Sequence, residues 1–188
     1  MTQLVLFLEE PSAREMLAGL LPRMLPTHIS FRCVVFEGKQ DLEKRLPGKL
    51  RGWQAPEDTL FVVLRDKDQG DCVQIKDRLV RICRDAGKPE TLVRIACHEL
   101  ESWYLGDLAA VERGLCITGL ARYQGKAKYK NPDRIASPAQ EIQRLTDNRY
   151  QKVSGSRSIG PCLTLDRNAS HSFSVFIGGI QRLIHEAT

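Results

Sequence analysis

Four short apolar runs punctuate the first part of the chain, and each is followed by acids. "LVLFL" (Leu4–Leu8), "ISFRCVVF" (Ile29–Phe36), "TLFVVL" (Thr59–Leu64) and "TLVRIAC" (Thr91–Cys97) have the length and the β-branched and aromatic content of buried strands. Between them apolar residues return at helical spacing. Met16, Leu17, Leu20, Leu21 and Leu25 predict a helix that Pro22 either kinks or ends early, and a shorter helix is predicted around Asp41–Leu50. Val73, Ile75, Leu79, Ile82 and Cys83 predict an amphipathic helix with all five side chains facing inward. Nearly all-apolar strands alternating with helices predict an α/β fold: a mainly parallel sheet of about four strands with helices on both faces.

Beyond Gly106 the pattern turns to helices and loops. Ser137 is placed to cap a helix that starts at Pro138 and carries Ile142 and Leu145. The stripe Phe173, Phe176, Ile177, Ile180, Leu183 and Ile184 predicts a last helix docked on the sheet. Residues 1–115 are therefore read as an α/β core. Residues 116–188 are read as a helical C-terminal extension packed on that core in one compact unit.

Charge sharpens this division. The net charge is +5, yet residues 1–120 carry 17 basic against 18 acidic side chains, and residues 121–188 carry 11 against 5. The excess lies between Arg122 and Arg157 and points to a polyanion partner on the basic half, or else to a solvated face. An apolar fraction of 42% is that of an ordinary globular protein. The N-terminal apolar run is too short to cross a bilayer and lacks the basic region and cleavage site of a signal peptide, so the expected location is cytoplasmic, with no membrane partner. The six cysteines form no C-x-x-C pair and sit mostly among apolar residues, as reduced core cysteines do; their spacing does not support a zinc site with His98.

The ends of the four predicted strands carry the candidate chemistry. Glu9 and Glu10 follow the first, Glu37 the second, Asp66, Asp68 and Asp71 the third, and Glu99 and Glu101 the fourth. In a parallel sheet these ends share one edge, where open α/β folds bind ligands. So dense a negative patch needs a cation, and all-oxygen donors predict Mg²⁺ or Mn²⁺, with Glu9, Asp66, Asp68, Asp71 and Glu99 as candidate ligands. The plainer reading of "DKDQGD" is an acidic turn at a helix start, with Asp71 near the positive end of the helix dipole. An EF-hand is excluded, because Gly70 is fifth rather than sixth in its loop and follows a strand. "GSRSIG" lacks the lysine of a Walker A motif, so unaided ATP hydrolysis is not expected.

An acid after the first strand and D-x-D after the third resembles the Toprim domain: Glu9 in "FLEEPSA" matches its glutamate, and Asp66 and Asp68 in "LRDKD" match its D-x-D. Glu10 stands where that family has glycine. Over nearly its whole length the chain is also similar to a small bacterial Toprim-like family, domain of unknown function 4276, through "EEPSARE", "DKDQGDC", "IACHELESWYLGD", "YQKV" and "DRNASHSF". The resemblance implies metal-dependent phosphodiester chemistry, with Glu9 as general acid/base or metal ligand and Asp66 and Asp68 as metal ligands. It also implies action in phage defence beside an ABC-type ATPase. The alternative is a Toprim-like module that binds nucleic acid or that ATPase without chemistry.

Several polar residues remain to be placed. Of the two glutamates after the fourth strand, Glu99 is expected at the metal and Glu101 paired with a base, since residues two apart on a helix point in different directions. Trp103 and Tyr104 are read as core, or as stacking partners for a base. Lys126, Lys128 and Lys130 alternate with Tyr123 and Tyr129, a pattern that fits a nucleic-acid backbone track, with Arg149, Lys152 and Arg157 as its continuation. Ser170 or Ser172 is expected to cap the last helix, and Arg167 and His171 are candidates to reach a phosphate beside it.

Overall fold

The structure, a computed structural model, describes residues 2–54 and 58–187. Strands β1 (Gln3–Leu8), β2 (Ser30–Val35), β3 (Thr59–Asp66) and β4 (Leu92–Ala96) form one parallel sheet in the order β2-β1-β3-β4. Helices α1 (Pro11–Leu20), α2 (Lys39–Arg51) and α3 (Cys72–Asp85) connect them, and α4 (Glu101–Leu105), α5 (Leu108–Leu115), α6 (Pro138–Leu145), α7 (Lys152–Ile159) and α8 (His171–Glu186) follow. The α/β expectation, with a parallel sheet covered on both faces, holds.

Alternation along each strand sorts the side chains between two cores. Leu4, Leu6, Leu8, Val62 and Leu64 face α1 and the C-terminal helices, in a cluster that runs through Trp103, Tyr104, Phe173 and Phe176. Val5, Phe7, Phe61 and Val63 face α2 and α3, meeting Leu42, Leu46, Ile75 and Leu79. The strand order reverses between β1 and β3, which opens a crevice at their carboxyl ends.

Of the two courses open at Pro22, the helix takes the early end: α1 stops at Leu20 and a 3₁₀ turn takes Leu21–Arg23, where the proline ring suits an N-terminal position. Two local expectations change. Val73 does not face inward. As the second residue of α3 it lies beyond the edge of the core and is 66% exposed. The third strand runs past its apolar stretch to Asp66, because the ladder with β4 continues through Lys67 N–H to Ala96 O at 2.9 Å.

That bond turns the Ala96 carbonyl toward β3, so the Val93 carbonyl, three residues back, faces the open edge of β4. The Arg94 guanidinium lies over that edge. Its Nη1 donates to Val93 O at 2.8 Å and its Nε to Val175 O of α8 at 3.2 Å. Gly179 provides the bed, since a Cβ there would stand 2.6 Å from Arg94 Nη2.

Candidate functional site

Strand parity decides what Asp66 meets. It follows Val62 and Leu64 on the face toward α1 and the C-terminal helices, and is 8% exposed. Arg65 points to the other face, where it pairs with Glu43 of α2. Glu9, just past β1, bridges to β3 by accepting the Asp66 backbone N–H at 3.1 Å, with Arg65 Nε 3.9 Å from the same oxygen. Burial pushes the Glu9 carboxyl up, and the nearby Asp68 and Glu10 charges add to this, against the Asp66 N–H and Arg65.

Behind Asp66 stand residues of α4 and α7 and of the loop before α7. Glu101, the first residue of α4, is fully buried; its Oε1 accepts from Tyr150 Oη at 2.8 Å, and its Oε2 has no partner. Lys152, the first residue of α7, reaches Glu10 Oε2 at 2.7 Å. Tyr104 donates to Ser156 at 2.7 Å, and Tyr104 and Tyr150 meet edge to face. Burial raises the Asp66 carboxyl well above the ordinary range, and Glu101, Glu10 and Glu9 raise it further while Lys152 opposes. Glu101 is raised by burial too, against Lys152 and Tyr150. Burial pulls the Lys152 ammonium down, but Glu10, Glu101 and Asp66 outweigh it and leave it above the usual lysine value. The pocket holds more negative charge than one lysine offsets.

The other predicted ligands do not join this group. Asp68, in a left-handed conformation with φ of 53°, pairs with Lys39 Nζ at 2.7 Å, and its backbone is tied to His98 by an N–H···O bond of 2.8 Å. Asp71 caps α3 by accepting the Gln74 N–H at 2.8 Å. Glu99 accepts the Ala139 N–H at 2.9 Å at the start of α6, and Glu37 is exposed. Among the described residues no three Asp, Glu, His or Cys side chains already converge as a metal cage. The residues at the β1–β3 crevice nevertheless fit a hard cation that keeps several of its waters: the donors are all oxygens, several are protonation-prone, and Glu101 Oε2 is an orphaned buried acceptor.

The basic half is partly neutralised from within. Glu141 of α6 gathers Lys128 Nζ at 2.7 Å, Arg144 Nη2 at 2.7 Å and the Tyr129 hydroxyl. Burial would raise its carboxyl, but Arg144, Lys128 and Tyr129 prevail and hold it down to about 2. This contribution to stability is present above the ordinary pKa of 4.5 and is lost as pH falls through about 2. Glu141→Gln is expected to cost about 1 kcal/mol at pH 7, a modest figure because both cations are half-exposed. Urea unfolding should show the gap between variant and wild type narrowing below pH 4.5 and closing only as pH approaches about 2. Lys126 lies 4.1 Å from the centre of the Tyr123 ring, and Lys130 is exposed. Arg167 and His171 are also exposed, and the N-terminus of α8 is already filled: the Ser170 hydroxyl accepts from Phe173 N–H, and Asp133 accepts from Ser172 N–H at 2.7 Å.

Two distant motifs lock together beneath the site. Asn168 Nδ2 donates to Trp103 O at 2.8 Å, Trp103 Nε1 donates to Ser172 Oγ at 2.9 Å, and a Cβ at Gly106 would stand 2.0 Å from Asn168 Oδ1. Trp103 and Tyr104 are thus core residues, with no accessible face. This pairing of "ELESWYLGD" with "DRNASHSF" lies inside residues 8–181, which match the family described as Domain of unknown function (DUF4276). The chain belongs to that family. Among solved structures, DUF4276 as represented by this chain is similar to the C-terminal region of the Xanthomonas campestris pv. campestris OLD protein. One structure of that region, phased with mercury, shares 14% identity over 100% of this chain and 96% of its own, with a TM-score of 0.52. A second, phased with platinum, shares 16% identity over 99% and 93%, with a TM-score of 0.50. At that identity the likeness is one of fold. No curated protein matches the chain in sequence.

The sequence leads one to expect Glu99 at a metal and Lys152 in a nucleic-acid track; the structure sets Glu99 on the Ala139 N–H and brings Glu101 and Lys152 toward Asp66. The signal for Lys152 was its place in "YQKV", which the helix start at Lys152 turns toward Glu10.

Proposed function

We propose that this DUF4276 protein is a divalent-metal-dependent phosphodiester hydrolase of Toprim type that cleaves DNA or RNA. The observation that carries the reading is the surplus of buried negative charge at the β1–β3 crevice, where Glu9, Asp66 and Glu101 are all raised despite Arg65 beside Glu9 and Lys152 beside Glu10. Glu9 and Asp66 are the residues to hold Mg²⁺ or Mn²⁺, with Asp68 joining them when its pair with Lys39 opens; Asp71 and Glu99 each hold a helix N-terminus and are left out of the ligand set. The bound ion supplies charge stabilisation for a phosphoryl transition state and an acidified water. Glu9, with its elevated carboxyl, is suited to accept and return a proton at Oε2, while Lys152 brings positive charge toward a phosphate. Lys126, Lys130 and Arg167, exposed on the basic half, bind the nucleic-acid backbone, with His171 and the Glu141-held Lys128 beside them.

Glu10, standing where the Toprim pattern has glycine, would favour a binding module without chemistry if it distorted the first loop. Glu10 has φ of −151° and ψ of 163°, extended backbone open to any residue, and its carboxylate is spent on Lys152. The substitution therefore needs no distorted loop. The chain is also proposed to act in phage defence beside an ABC-type ATPase, which would supply the nucleotide hydrolysis that a chain lacking a Walker A lysine does not.

Calorimetric titration of Mn²⁺ tests the centre. Wild type is expected to bind, and a variant carrying both Asp66→Asn and Asp68→Asn is expected not to. Silence in the wild type removes the metal reading, and equal binding in both proteins places the ion elsewhere.

A further inference from the structure

The basic half carries a concavity that a row of exposed cations does not use. It encloses about 590 Å³ between the segment after α5 and the end of α6. Arg122, Lys126, Lys128 and Arg144 line it, together with Tyr123 and Tyr129. Asp147 is the one carboxylate on its wall among the described residues.

The cations are held in two ways. Lys128 and Arg144 share Glu141, each at 2.7 Å, so that carboxylate fixes both at the wall. Arg122 and Lys126 form no ion pair among the described residues and rest on Tyr123 instead. Lys126 Nζ lies 4.1 Å and Arg122 Cζ 5.1 Å from the ring centre, and Arg122 Nη2 donates to Tyr123 Oη at 3.2 Å. A ring face attracts a cation but carries no net charge to neutralise it. The wall is also fixed before any ligand arrives. Gln124 pegs it to the neighbouring helices: its Oε1 accepts the Leu108 N–H at 2.7 Å, and its Nε2 donates to Leu105 O at 3.1 Å and to Tyr129 O at 3.2 Å. Glu112 accepts the Leu120 N–H, and the Tyr129 hydroxyl is bonded to Glu141. Such a wall has little freedom left to lose on binding.

We propose that this cavity binds the phosphate monoester of a nucleotide, carried by a free mononucleotide or by the phosphorylated end of a nucleic-acid strand. Four cations stand against two carboxylates, Asp147 on the wall and Glu141 behind Lys128 and Arg144, an excess of two. A phosphate monoester at neutral pH carries about −1.5 to −2, which matches that excess, whereas a backbone diester brings a single charge. The volume is more than a phosphate group fills and lies within the roughly 300–1,000 Å³ of small-molecule sites, so the attached nucleoside has room. The strand-end case rests on the nucleic-acid reading above; the free-nucleotide case stands without it.

The test is calorimetric titration of the full chain at low salt without divalent metal. The probes are adenosine 5′-monophosphate, adenosine, and a thymidine trinucleotide with and without a 5′-phosphate. At least one of the two monoesters is expected to bind, and its counterpart lacking the phosphate to bind about tenfold more weakly or not at all. Binding of adenosine 5′-monophosphate identifies a free nucleotide as sufficient, and binding of the phosphorylated trinucleotide alone identifies a strand end. Arg122→Ala and Lys126→Ala should each weaken that binding about tenfold. Arg84→Ala, which removes an equal charge near the end of α3, should leave it unchanged. Urea unfolding checks that each variant remains folded. Equal binding of the two trinucleotides, with no binding of adenosine 5′-monophosphate, would overturn the monoester site and leave the backbone track standing. Silence of both monoesters, full binding by Arg122→Ala and Lys126→Ala, or an equal loss in Arg84→Ala would also overturn it. Because no metal is present, failure here is distinct from failure of the Mn²⁺ centre, and the wild-type probes decide the matter even where a variant fails to fold.

Discussion

Replacing Asp66 by asparagine is expected to make the metal-free protein more stable while removing its metal binding and its cleavage. The side chain is almost fully buried and faces Glu101, Glu10 and Glu9, so its carboxylate costs free energy that an isosteric amide does not. The gain at pH 7 should be on the order of 1 kcal/mol, as for relief of a buried unpaired charge. In the wild type, Mn²⁺ at a hundredfold excess over its dissociation constant should add about 2.7 kcal/mol, and in Asp66→Asn it should add nothing. Cleavage of a nucleic-acid substrate should fall on the order of 10²- to 10³-fold or more, the loss that follows removal of a main source of charge stabilisation. Thermal unfolding with and without Mn²⁺ reads the first two effects and a nuclease assay the third. A variant less stable than wild type, or one that still responds to Mn²⁺, contradicts the charge-surplus account.

Lys152→Met should do the opposite to the metal-free protein. The ammonium opposes the raised affinities of Asp66 and Glu101 for protons, so without it both carboxyls move further up. A carboxyl raised on folding binds its proton more tightly in the native state, and its burden is greatest above its native pKa. That burden disappears as pH falls toward the ordinary values of 3.8 for Asp66 and 4.5 for Glu9 and Glu101. The variant should therefore be less stable than wild type at pH 7, by about 1 kcal/mol given that Lys152 is half-exposed. The two stability curves should converge as the solution is acidified toward pH 4.5, at a higher pH than for Glu141, whose carboxyl is held down rather than raised in the native state. Cleavage should drop while Mn²⁺ affinity is kept or increased, since the variant loses a cation that competes for the same acids. Urea titrations across that pH range, paired with Mn²⁺ calorimetry, check the pattern. A stability difference that stays constant with pH would mean Lys152 acts through packing alone.

The strands were legible because each is a compact apolar run flanked by polar residues, and the acid edge was legible because a parallel sheet sends every strand end the same way. What the sequence hid was the direction in which each acid points. Asp66 and Asp68 are two apart and would share a face in an extended strand, but β3 stops at Asp66 and Asp68 turns into a left-handed conformation toward Lys39. Glu99 does not reach the crevice because it finds a backbone N–H at Ala139, a residue no local pattern could bring near, while Glu101 is buried beside Tyr150. Lys152 looked like one more lysine in a basic stretch. Only the packing of α7 against α1, which sets it beside Glu10, makes it part of the acid pocket. Such long-range pairings carry no period and leave no trace in a single sequence.

The guanidinium of Arg94, bedded on Gly179 and bonded to Val93 O, has a bearing on how this architecture can grow. A sheet enlarges by recruiting a strand to a free margin, and here one margin is occupied by the chain's own side chain and screened by its last helix. The opposite margin, at β2, carries half-buried residues and the exposed Arg32, and among the described residues no side chain is bonded along it as Arg94 is along β4. Additions to the fold, whether inserted strands or fused domains, are thus steered to the β2 flank. The carboxyl ends of β1 and β3, central in the sheet, would be left undisturbed by such an addition.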